Sequence, residues 1–398
     1  MDALSPTANR DRGRSAVISP QAFHAALAAA GVDFFTGVPD SLLKSFNAYT
    51  EATLPAERHI TAANEGTAVG LAAGFHLASG GVPLVYLQNS GIGNAVNPLL
   101  SLADPEVYGI PLVLLIGWRG EPGVRDEPQH VKQGRISPDL LQAMEIPHRV
   151  LDGDPAAATA NAHWAVATAR QRSGPVALLV RKGAFGPAEQ HRAEVPTPSA
   201  LIRETAIAQI AAALPERATV VATTGHIARE LYEERGRTGQ SRAADFLTVG
   251  SMGHASQIAL GIALARPTEP VVCLDGDGAA IMHMGGLATI GATVAPRNYL
   301  HVVLNNGVHD SVGAQPTAGF DIDLPTIARA CGYRAVRGPL TEAAAIPAAV
   351  SELLATTGPA FLELHVRPGA RADLGRPVET PAENKRLFTE RLQQRSES

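Results

Sequence analysis

Polar residues with metal-binding chemistry stand at the ends of two predicted strands in the second half of the chain. A buried strand leads into Asp-Gly-Asp-Gly at 275–278, and the next strand leads into Asn305 and Asn306. A helix over 279–294 would span about 24 Å, and the returning strand would run back about 23 Å. This crossover brings Asn306 beside Asp277, at the carboxyl edge of a parallel sheet, where ligands of such sheets bind.

The residue types at this edge suit magnesium together with a diphosphate. Asp277 offers an anionic oxygen and Asn306 a neutral amide oxygen, and magnesium prefers six oxygen ligands shared among protein, phosphate and water. Gly276 and Gly278 allow the backbone to approach a ligand closely. The N-terminus of the following helix would direct free N–H groups at the phosphates.

Three other interpretations compete for the Gly-Asp-Gly tripeptide. A dinucleotide fingerprint would need glycine where Ile281 stands. A calcium-binding loop would need a bidentate acid where Gly286 stands. The tripeptide can also be only a tight turn, and each interpretation is fair for it alone. The Asn-Asn pair at the expected return distance favours magnesium and diphosphate.

Two further residues stand out by their surroundings. Glu65 is the only charge between Ile60 and His76, in an apolar predicted helix. On its own it is better explained as an acid that complements a helix dipole. Met252 lies between glycines in the loop at 250–253, after a strand of the second half. On its own it could simply fill a gap in a core.

Taken together, Gly-Asp-Gly, a helix, a strand and Asn-Asn resemble the signature of the thiamine diphosphate enzyme family. The resemblance implies thiamine diphosphate and Mg²⁺ as cofactors, with metal ligands from Asp277, the Asn306 side chain and the Val308 carbonyl. It also implies a larger set of residues in contact with the cofactor. These are Glu65, Gly225, Met252, Gly276, Asp277, Gly278, Ala279, Asn306 and Val308.

The resemblance also suggests roles for single side chains. Glu65 would hydrogen-bond N1′ of the cofactor's pyrimidine, and Met252 would wedge beneath the cofactor. Gly225 belongs to Thr-Thr-Gly-His at 223–226, which resembles a loop that touches the diphosphate. Asp40 ends a stretch that resembles a loop of the pyrimidine-binding domain, where it would approach the substrate. Alone, Asp40 is equally a helix N-cap.

Three stretches narrow the resemblance to one group of decarboxylases. The segments at 88–91, 117–130 and 306–313 resemble those of phosphonopyruvate decarboxylases, and sulfopyruvate decarboxylases share much of this pattern. The implied reaction converts 3-phosphonopyruvate to phosphonoacetaldehyde and carbon dioxide. Alternatives are the same reaction on sulfopyruvate, a carboligase like acetolactate synthase, and a partner that binds the cofactor without catalysis.

A substrate with an anionic tail needs cationic donors. Arg119, Arg125, His130 and Lys132 cluster on one predicted loop, and an arginine would fork onto phosphonate oxygens. We predict substrate contacts from Arg119, Arg125, His130 and Asn89, with His130 as a proton donor or an anchor. The alternative is a solvated loop in which neighbouring acids balance the arginines.

Helices and apolar strands alternate along most of the chain, which predicts α/β architecture with parallel sheets covered on both faces. We expect two doubly wound parallel-sheet domains: a pyrimidine-binding (PYR) domain at 16–184 and a diphosphate-binding (PP) domain at 200–398. The proline-rich stretch 185–199 would be a linker, leaving no room for a middle domain. Residues 1–15 are expected to be a disordered tail.

Composition excludes several classes of function. The 398 residues carry a net charge of −5 and are 45% hydrophobic. No basic stripe suggests nucleic acid, and no apolar run suggests a membrane span or a secretory signal. The two cysteines allow no disulfide framework, as expected for a cytoplasmic enzyme. The resemblance implies a homodimer or higher homo-oligomer whose sites lie between chains and take a small 2-oxo acid.

Overall fold

Two six-stranded parallel sheets organise the chain. The computed structural model describes residues 17–188, 196–292 and 298–394. The tail expected at 1–15 therefore lies outside the described residues. Within the described part, no helix is both long enough and apolar enough to cross a membrane.

The first sheet and its covering helices occupy the first half of the chain. Its strands are β1 Phe35–Gly37, β2 His59–Thr61, β3 Leu84–Gln88, β4 Leu112–Gly117, β5 His148–Leu151 and β6 Pro175–Val180. Its helices are α1 Pro20–Ala30, α2 Lys44–Thr53, α3 Glu65–Ser79, α4 Ile92–Pro98, α5 Pro128–Ala143 and α6 Pro155–Arg172.

The second half adds a small hairpin to the same plan. Its strands are β7 Thr219–Ala222, β8 Asp245–Leu247, β9 Val271–Gly276, β10 Tyr299–Asn305, β11 Val308–His309, β12 Gln315–Pro316, β13 Ala335–Leu340 and β14 Ala360–His365. Its helices are α7 Arg203–Ala213, α8 His226–Arg237, α9 Ala255–Ala265, α10 Asp277–Met282, α11 Gly285–Ala292, α12 Leu324–Ala330, α13 Ile346–Ala355 and α14 Pro381–Gln394.

The two sheets have the same topology. Their strand orders are β2-β1-β3-β4-β6-β5 and β8-β7-β9-β10-β14-β13, which coincide when strands are counted from the start of each sheet. In each sheet the chain reverses its winding direction between the first and third strands. Such switch points, at the carboxyl ends of the strands, are where open α/β sheets bind ligands. The predicted fold of two doubly wound parallel sheets is confirmed.

Side chains on alternate positions of the central strands explain why both faces of each sheet are covered. In β4, Val113 and Leu115 pack into one apolar cluster, whereas Leu112, Leu114 and Ile116 pack into another on the opposite face. Successive side chains of a strand point to opposite faces. A continuous apolar strand therefore needs helices on both faces of the sheet. Helices α1 and α6 cover one of these faces.

Two local predictions were wrong. The helix expected over 279–294 is divided between α10 and α11, with the break around His283. The loop expected to carry Arg119 through Lys132 ends at Pro128, where α5 begins. Proline at the first helical position is a helix-start signal, and Pro128 occupies that position in α5. Of the four cationic residues, His130 and Lys132 thus lie on a helix.

The stretch predicted as a linker begins inside the first core. The Phe185 ring lies 5.5 Å from the Phe23 ring and 5.6 Å from the Phe46 ring, measured between centroids. Its backbone also bridges to Ile18. The first half therefore extends past residue 184, and the middle of the stretch, 189–195, lies outside the described residues.

Candidate active site

The two polar clusters of the second half meet, as the crossover geometry predicted. Asp277 begins α10 directly after β9, and Asn306 follows β10, the neighbouring strand. The Asn306 backbone N–H donates to Asp277 Oδ1 at 3.3 Å. Asp277 and Asn306 are 2% and 5% exposed, so both sit in a largely dry edge. Thr317, which the sequence reasoning missed, donates its hydroxyl to Asp277 Oδ2.

Gly278 is more crowded than Gly276. A Cβ at Gly278 would lie 2.9 Å from the His309 ring, which would have to shift. A Cβ at Gly276 would only touch Ile227 at 3.5 Å, an ordinary contact. That the backbone approaches a ligand closely at these two glycines stays a prediction. Ala279, the next residue, is buried.

Buried polar atoms without partners line the neighbouring loop of the second half. Thr223 Oγ1 and His226 Nδ1 have no hydrogen-bond partner among the described residues. Between them, Gly225 adopts a φ of 101°, a left-handed conformation that favours glycine. Buried polar groups are normally satisfied, so this loop has hydrogen-bonding capacity for an anionic group. It follows β7, at the switch point shared with β9.

The residues at this edge fit magnesium and a diphosphate. Asp277 and Asn306 supply oxygen ligands of the kind that magnesium takes. Burial raises the pKa of Asp277 to about 6, and a bound dication would favour the charged carboxylate. Val308 is buried, and its N–H donates to Asn306 Oδ1 at 3.2 Å. The unpartnered atoms of the 223–226 loop can receive the phosphates.

A buried ionic network holds Asn306 from behind. The Asn306 Nδ2 donates to Asp310 Oδ2 at 2.9 Å, and Arg203 Nη1 donates to the same oxygen at 2.8 Å. Arg203 also forks onto Glu230 with two bonds of 2.9 Å. Arg203 lies 107 residues from Asp310 in the chain, so no local sequence signal could have identified this network.

Glu65 is the first residue of α3, and its carboxylate is nearly buried. It is 5% exposed, and Asn94 Nδ2 donates to its Oε2 at 2.8 Å. Asn64 caps the helix through the Thr67 N–H at 2.9 Å. A Cβ at Gly91 would stand 2.1 Å from Glu65 Oε1, so that glycine makes room for the carboxylate. Burial raises the pKa of Glu65 above its ordinary value, partly offset by Asn94.

Asp40 is fully buried at the end of the turn that follows β1. Its Oδ2 accepts the Leu42 N–H at 2.8 Å, whereas its Oδ1 has no partner among the described residues. A Cβ at Gly117 would stand 2.0 Å from Asp40 Oδ2, so a second glycine makes room for a second carboxylate. Burial raises the pKa of Asp40 to about 6, against the lowering effects of backbone N–H groups and the Arg119 charge.

Arg119 is already engaged in the structure. Its Nε and Nη2 donate to the two oxygens of Asp126 at 2.8 and 2.5 Å, and its Nη1 donates to Ser41 Oγ at 2.9 Å. The Asn89 side chain makes two hydrogen bonds to the backbone of Arg119. Asn89 Nδ2 donates to the Arg119 carbonyl at 2.9 Å, and Asn89 Oδ1 accepts the Arg119 N–H at 3.1 Å. Asn89 also donates to Ser137. These contacts hold the Arg119 backbone in place, and the contact of Asn89 with substrate stays a prediction.

The other predicted substrate residues differ in their surroundings. Arg125 is exposed, with no hydrogen bond or ion pair to another described residue. His130 is 8% exposed, and its Nδ1 lacks a partner within the described chain. Burial and the nearby Arg119 charge lower the pKa of His130, against the opposing effect of Asp126. These surroundings favour the neutral imidazole of His130.

Met252 lies in a tight turn that follows β8. Its neighbours Ser251 and Gly253 both have positive φ, at 53° and 84°. The Met252 side chain is half-buried. A Cβ at Gly250 would touch the side chain of Gln129 on α5, which belongs to the first half. The turn thus lies where the two halves of the chain meet.

Contacts across the two halves join residues of one chain. Asn64 Nδ2, beside Glu65, donates to the Met282 carbonyl at 3.1 Å, and Arg376 forms an ion pair with Glu127. The carboxyl edges of the two sheets therefore face each other within the chain. The expectation that one chain supplies the first half of the site and another chain the second stays a prediction.

Comparison with known proteins follows the same division into halves. Residues 20–143 match the family model described as thiamine pyrophosphate enzyme, N-terminal TPP binding domain. Residues 223–364 match the corresponding C-terminal TPP binding domain. The two matches lie on either side of the stretch 185–199.

Three relatives match much of the chain. It is 39% identical over 390 residues to a phosphonopyruvate decarboxylase of Streptomyces hygroscopicus, with 94% of each chain covered. It is 40% identical over 382 residues to a phosphonopyruvate decarboxylase of Streptomyces viridochromogenes, with 92% of each covered. A sulfopyruvate decarboxylase of Methanosarcina acetivorans is 30% identical over 327 residues, which are 76% of this chain and 80% of that one.

Proposed function

The chain belongs to the thiamine pyrophosphate enzyme family, and we propose that it is a carboxy-lyase that converts 3-phosphonopyruvate to phosphonoacetaldehyde and carbon dioxide. The observation that carries this proposal is the near full-length similarity to the two streptomycete phosphonopyruvate decarboxylases. The juxtaposition of Asp277 and Asn306 supports it, since these are the oxygens that a magnesium diphosphate needs.

The second half is proposed to hold the cofactor's diphosphate. Asp277, the Asn306 side chain and the Val308 carbonyl would bind Mg²⁺. Gly225, with the unpartnered atoms of its neighbours, would bind phosphate oxygens. Gly278 has no side chain, so its backbone would be able to approach the diphosphate closely. Thiamine diphosphate, when bound, supplies a carbon nucleophile for the keto carbon and accepts the electron pair left by carbon dioxide.

Glu65 is proposed to share a proton with the cofactor's pyrimidine. Burial raises its pKa, which shifts the carboxyl group towards the protonated form. Asn94 and the room left by Gly91 fix where that proton is held. Met252 is proposed as the apolar support beneath the cofactor, because its turn lies where the two halves meet.

Asp40 and His130 are proposed to handle protons of the substrate. Asp40 has an unpartnered buried oxygen, and His130 an unpartnered buried ring nitrogen. Because Arg119 bonds both Asp126 and the neighbour of Asp40, we propose that it holds the Asp40 turn in place. That Arg119, Arg125 and His130 bind the anionic tail stays a prediction.

Sulfopyruvate is the second candidate substrate. The relative from Methanosarcina supports it, although its similarity covers less of the chain at lower identity than the streptomycete relatives. The two substrates share a 2-oxo acid and a tetrahedral oxyanion tail, and their tails differ by one charge at neutral pH. The carboligase and the non-catalytic partner are ranked below both.

The setting of the enzyme is also a proposal. We propose a cytoplasmic homo-oligomer that serves phosphonate biosynthesis of the kind that leads to antibiotics. Both cysteines are free, which suits a reducing compartment.

The test is carbon dioxide release by the purified protein with thiamine diphosphate and magnesium. Phosphonopyruvate, sulfopyruvate and pyruvate are compared, with and without a chelator. We expect chelator-sensitive turnover that is fastest with phosphonopyruvate. A Glu65→Gln variant should retain cofactor and lose turnover. No turnover of any substrate by protein with bound cofactor would overturn the decarboxylase proposal.

A further inference from the structure

The N-terminus of α2 faces the second half of the chain without a side-chain cap. Lys44 is the first residue of this ten-residue helix, and Leu43 before it supplies no capping hydrogen bond. The first N–H groups of a helix have no partner within it, and the helix dipole is positive at that end. Among the described residues, the Lys44 side chain also has no hydrogen-bond or ionic partner. This end of α2 therefore combines two sources of positive potential.

Gln315, on the opposite side, is a buried amide with nothing to bond. It is 1% exposed, and neither its Nε2 nor its Oε1 has a partner among the described residues. It stands in β12, in the hairpin that follows the proposed magnesium ligand Asn306. A buried amide is normally hydrogen-bonded, so Gln315 marks a place where a polar ligand is missing.

Gly313 brings the two features together. A Cβ built there would stand 3.0 Å from Gln315 Nε2 and 3.2 Å from Lys44 Cβ. The Gln315 amide and the base of the Lys44 side chain are therefore no more than about 6 Å apart. A four-carbon lysine side chain spans that distance easily. The Lys44 ammonium can therefore reach the hairpin that carries Gln315.

The same place adjoins the proposed reaction centre. Asp40 lies four residues before Lys44, on the turn that leads into α2. Asn306, on the other side, lies nine residues before Gln315. A substrate whose keto acid meets Asp40 would extend its tail towards this end of α2.

We propose that Lys44, Gln315 and the N-terminus of α2 form the tail subsite, which binds the tetrahedral oxyanion of the substrate. The inference rests on the proposed function for the identity of the substrate. It differs from the expectation that the arginines of the 117–130 segment hold the tail, because Arg119 is already bound to Asp126. An ammonium, an amide N–H and helix N–H groups are donors that suit phosphonate or sulfonate oxygens.

Binding of a substrate analogue tests the subsite without any turnover. The probe is 3-phosphonopropionate, which lacks the keto oxygen and cannot be decarboxylated, titrated calorimetrically into enzyme loaded with thiamine diphosphate and magnesium. We expect Lys44→Met to weaken its binding by about tenfold or more, as for the loss of a charged hydrogen bond. Gln315→Glu, which places a carboxylate against the tail, should weaken it further.

Three controls accompany these variants. Lys385→Met removes an exposed lysine on α14 and should leave binding unchanged. Lys44→Arg retains the charge and should restore most of the lost affinity. A dianionic tail loses more electrostatic attraction than a monoanionic tail when a cation is removed. Lys44→Met should therefore weaken the binding of 3-phosphonopropionate more than the binding of 3-sulfopropionate.

Kinetics with two substrates separates a binding role from a folding defect. For Lys44→Met we expect kcat/KM to fall for phosphonopyruvate and to stay constant for pyruvate, which has no anionic tail. Unchanged affinity for 3-phosphonopropionate in both Lys44→Met and Gln315→Glu, with unchanged melting temperatures, would overturn the subsite. Wild-type enzyme that binds the analogue but does not turn over phosphonopyruvate would overturn the proposed function and leave the subsite standing.

Discussion

At the scale of single residues, the site depends on two carboxylates for which glycines make room. The Glu65 carboxylate occupies the space where a side chain of Gly91 would begin, and the Asp40 carboxylate occupies that space at Gly117. Gly91 has a φ of −79°, which any residue could adopt. Its requirement for glycine is therefore one of space rather than of backbone conformation.

We predict that Gly91→Ala displaces the Glu65 carboxylate and lowers decarboxylation at least a hundredfold. Overpacking at such a position costs about 1–3 kcal/mol, so the fold should survive with a lower melting temperature. Activity with saturating cofactor and thermal unfolding measure the two effects. Gly70→Ala is the control, because Gly70 lies on α3, the helix that Glu65 begins, and has open space around it. Full activity of Gly91→Ala would show that the position of Glu65 is not critical.

The buried Asp40 predicts a pH dependence of stability. Its pKa is about 6 in the folded protein, against 3.8 for an unperturbed group, mainly because burial disfavours its charge. Between these values the unfolded chain releases the proton while the folded chain keeps it, so rising pH favours unfolding. The full effect is on the order of 3 kcal/mol. It is absent below about pH 4 and complete above about pH 6.

Asp40→Asn removes this dependence and provides the measurement. Urea unfolding of both proteins from pH 4 to pH 8 should show the wild type losing stability relative to Asp40→Asn up to about pH 6 and no further. The comparison cancels the titration of other groups. A difference that does not vary with pH would show that the pKa of Asp40 is not raised.

At the scale of elements, the proposed metal site is held by two helices that do not themselves reach it. Arg203 on α7 and Glu230 on α8 form a buried pair, and Arg203 extends to Asp310, which holds the Asn306 amide. Asp310 accepts from the amide nitrogen. The amide oxygen of Asn306 therefore points away from Asp310, and beside the Val308 N–H that it accepts it keeps a lone pair for a metal. The orientation of one ligand thus depends on the packing of α7 against α8.

We predict that Asp310→Asn weakens magnesium binding by about ten- to a hundredfold, as loss of an outer-shell partner typically does. Titration of magnesium into protein with saturating thiamine diphosphate, followed by calorimetry, measures the change directly. Asp321→Asn, an exposed aspartate of the same half, removes the same charge and should have no effect. Equal magnesium affinity in Asp310→Asn and the wild type would exclude the positioning role.

At the scale of the whole molecule, two sheets of identical topology face each other through their switch points. The contacts Asn64 to Met282 and Glu127 to Arg376 join the halves of one chain. The first half carries Glu65 and Asp40, and the second carries Asp277 and Asn306. A complete set of proposed catalytic and metal-binding residues therefore lies on the facing halves of one chain, which makes a site within the chain a hypothesis to test.

Mixing two inactive variants tests this arrangement. We expect that Glu65→Gln and Asp277→Asn chains, unfolded together and refolded, remain inactive, because every site formed within one chain keeps one defect. Wild-type protein taken through the same unfolding and refolding is the control, and it should regain activity. Recovery of activity in the mixture would show that the halves pair between chains. Some sites would then combine the first half of an Asp277→Asn chain with the second half of a Glu65→Gln chain, and these sites carry neither substitution.

Local patterns in the sequence determined the α/β class, the two halves and the polar clusters at the strand ends. Apolar strands between helices are recognised from hydrophobic periodicity. The pairing of Gly-Asp-Gly with Asn-Asn is recognised from the length of one crossover. Both signals therefore lie within short stretches of sequence. Only the tertiary structure decided which partner each side chain takes. The binding of Arg119 to Ser41, the room at Gly91, the link from Arg203 to Asp310 and the unpartnered Gln315 all depend on packing between distant segments. No periodicity encodes such contacts, because they are set by how the elements fit together in space.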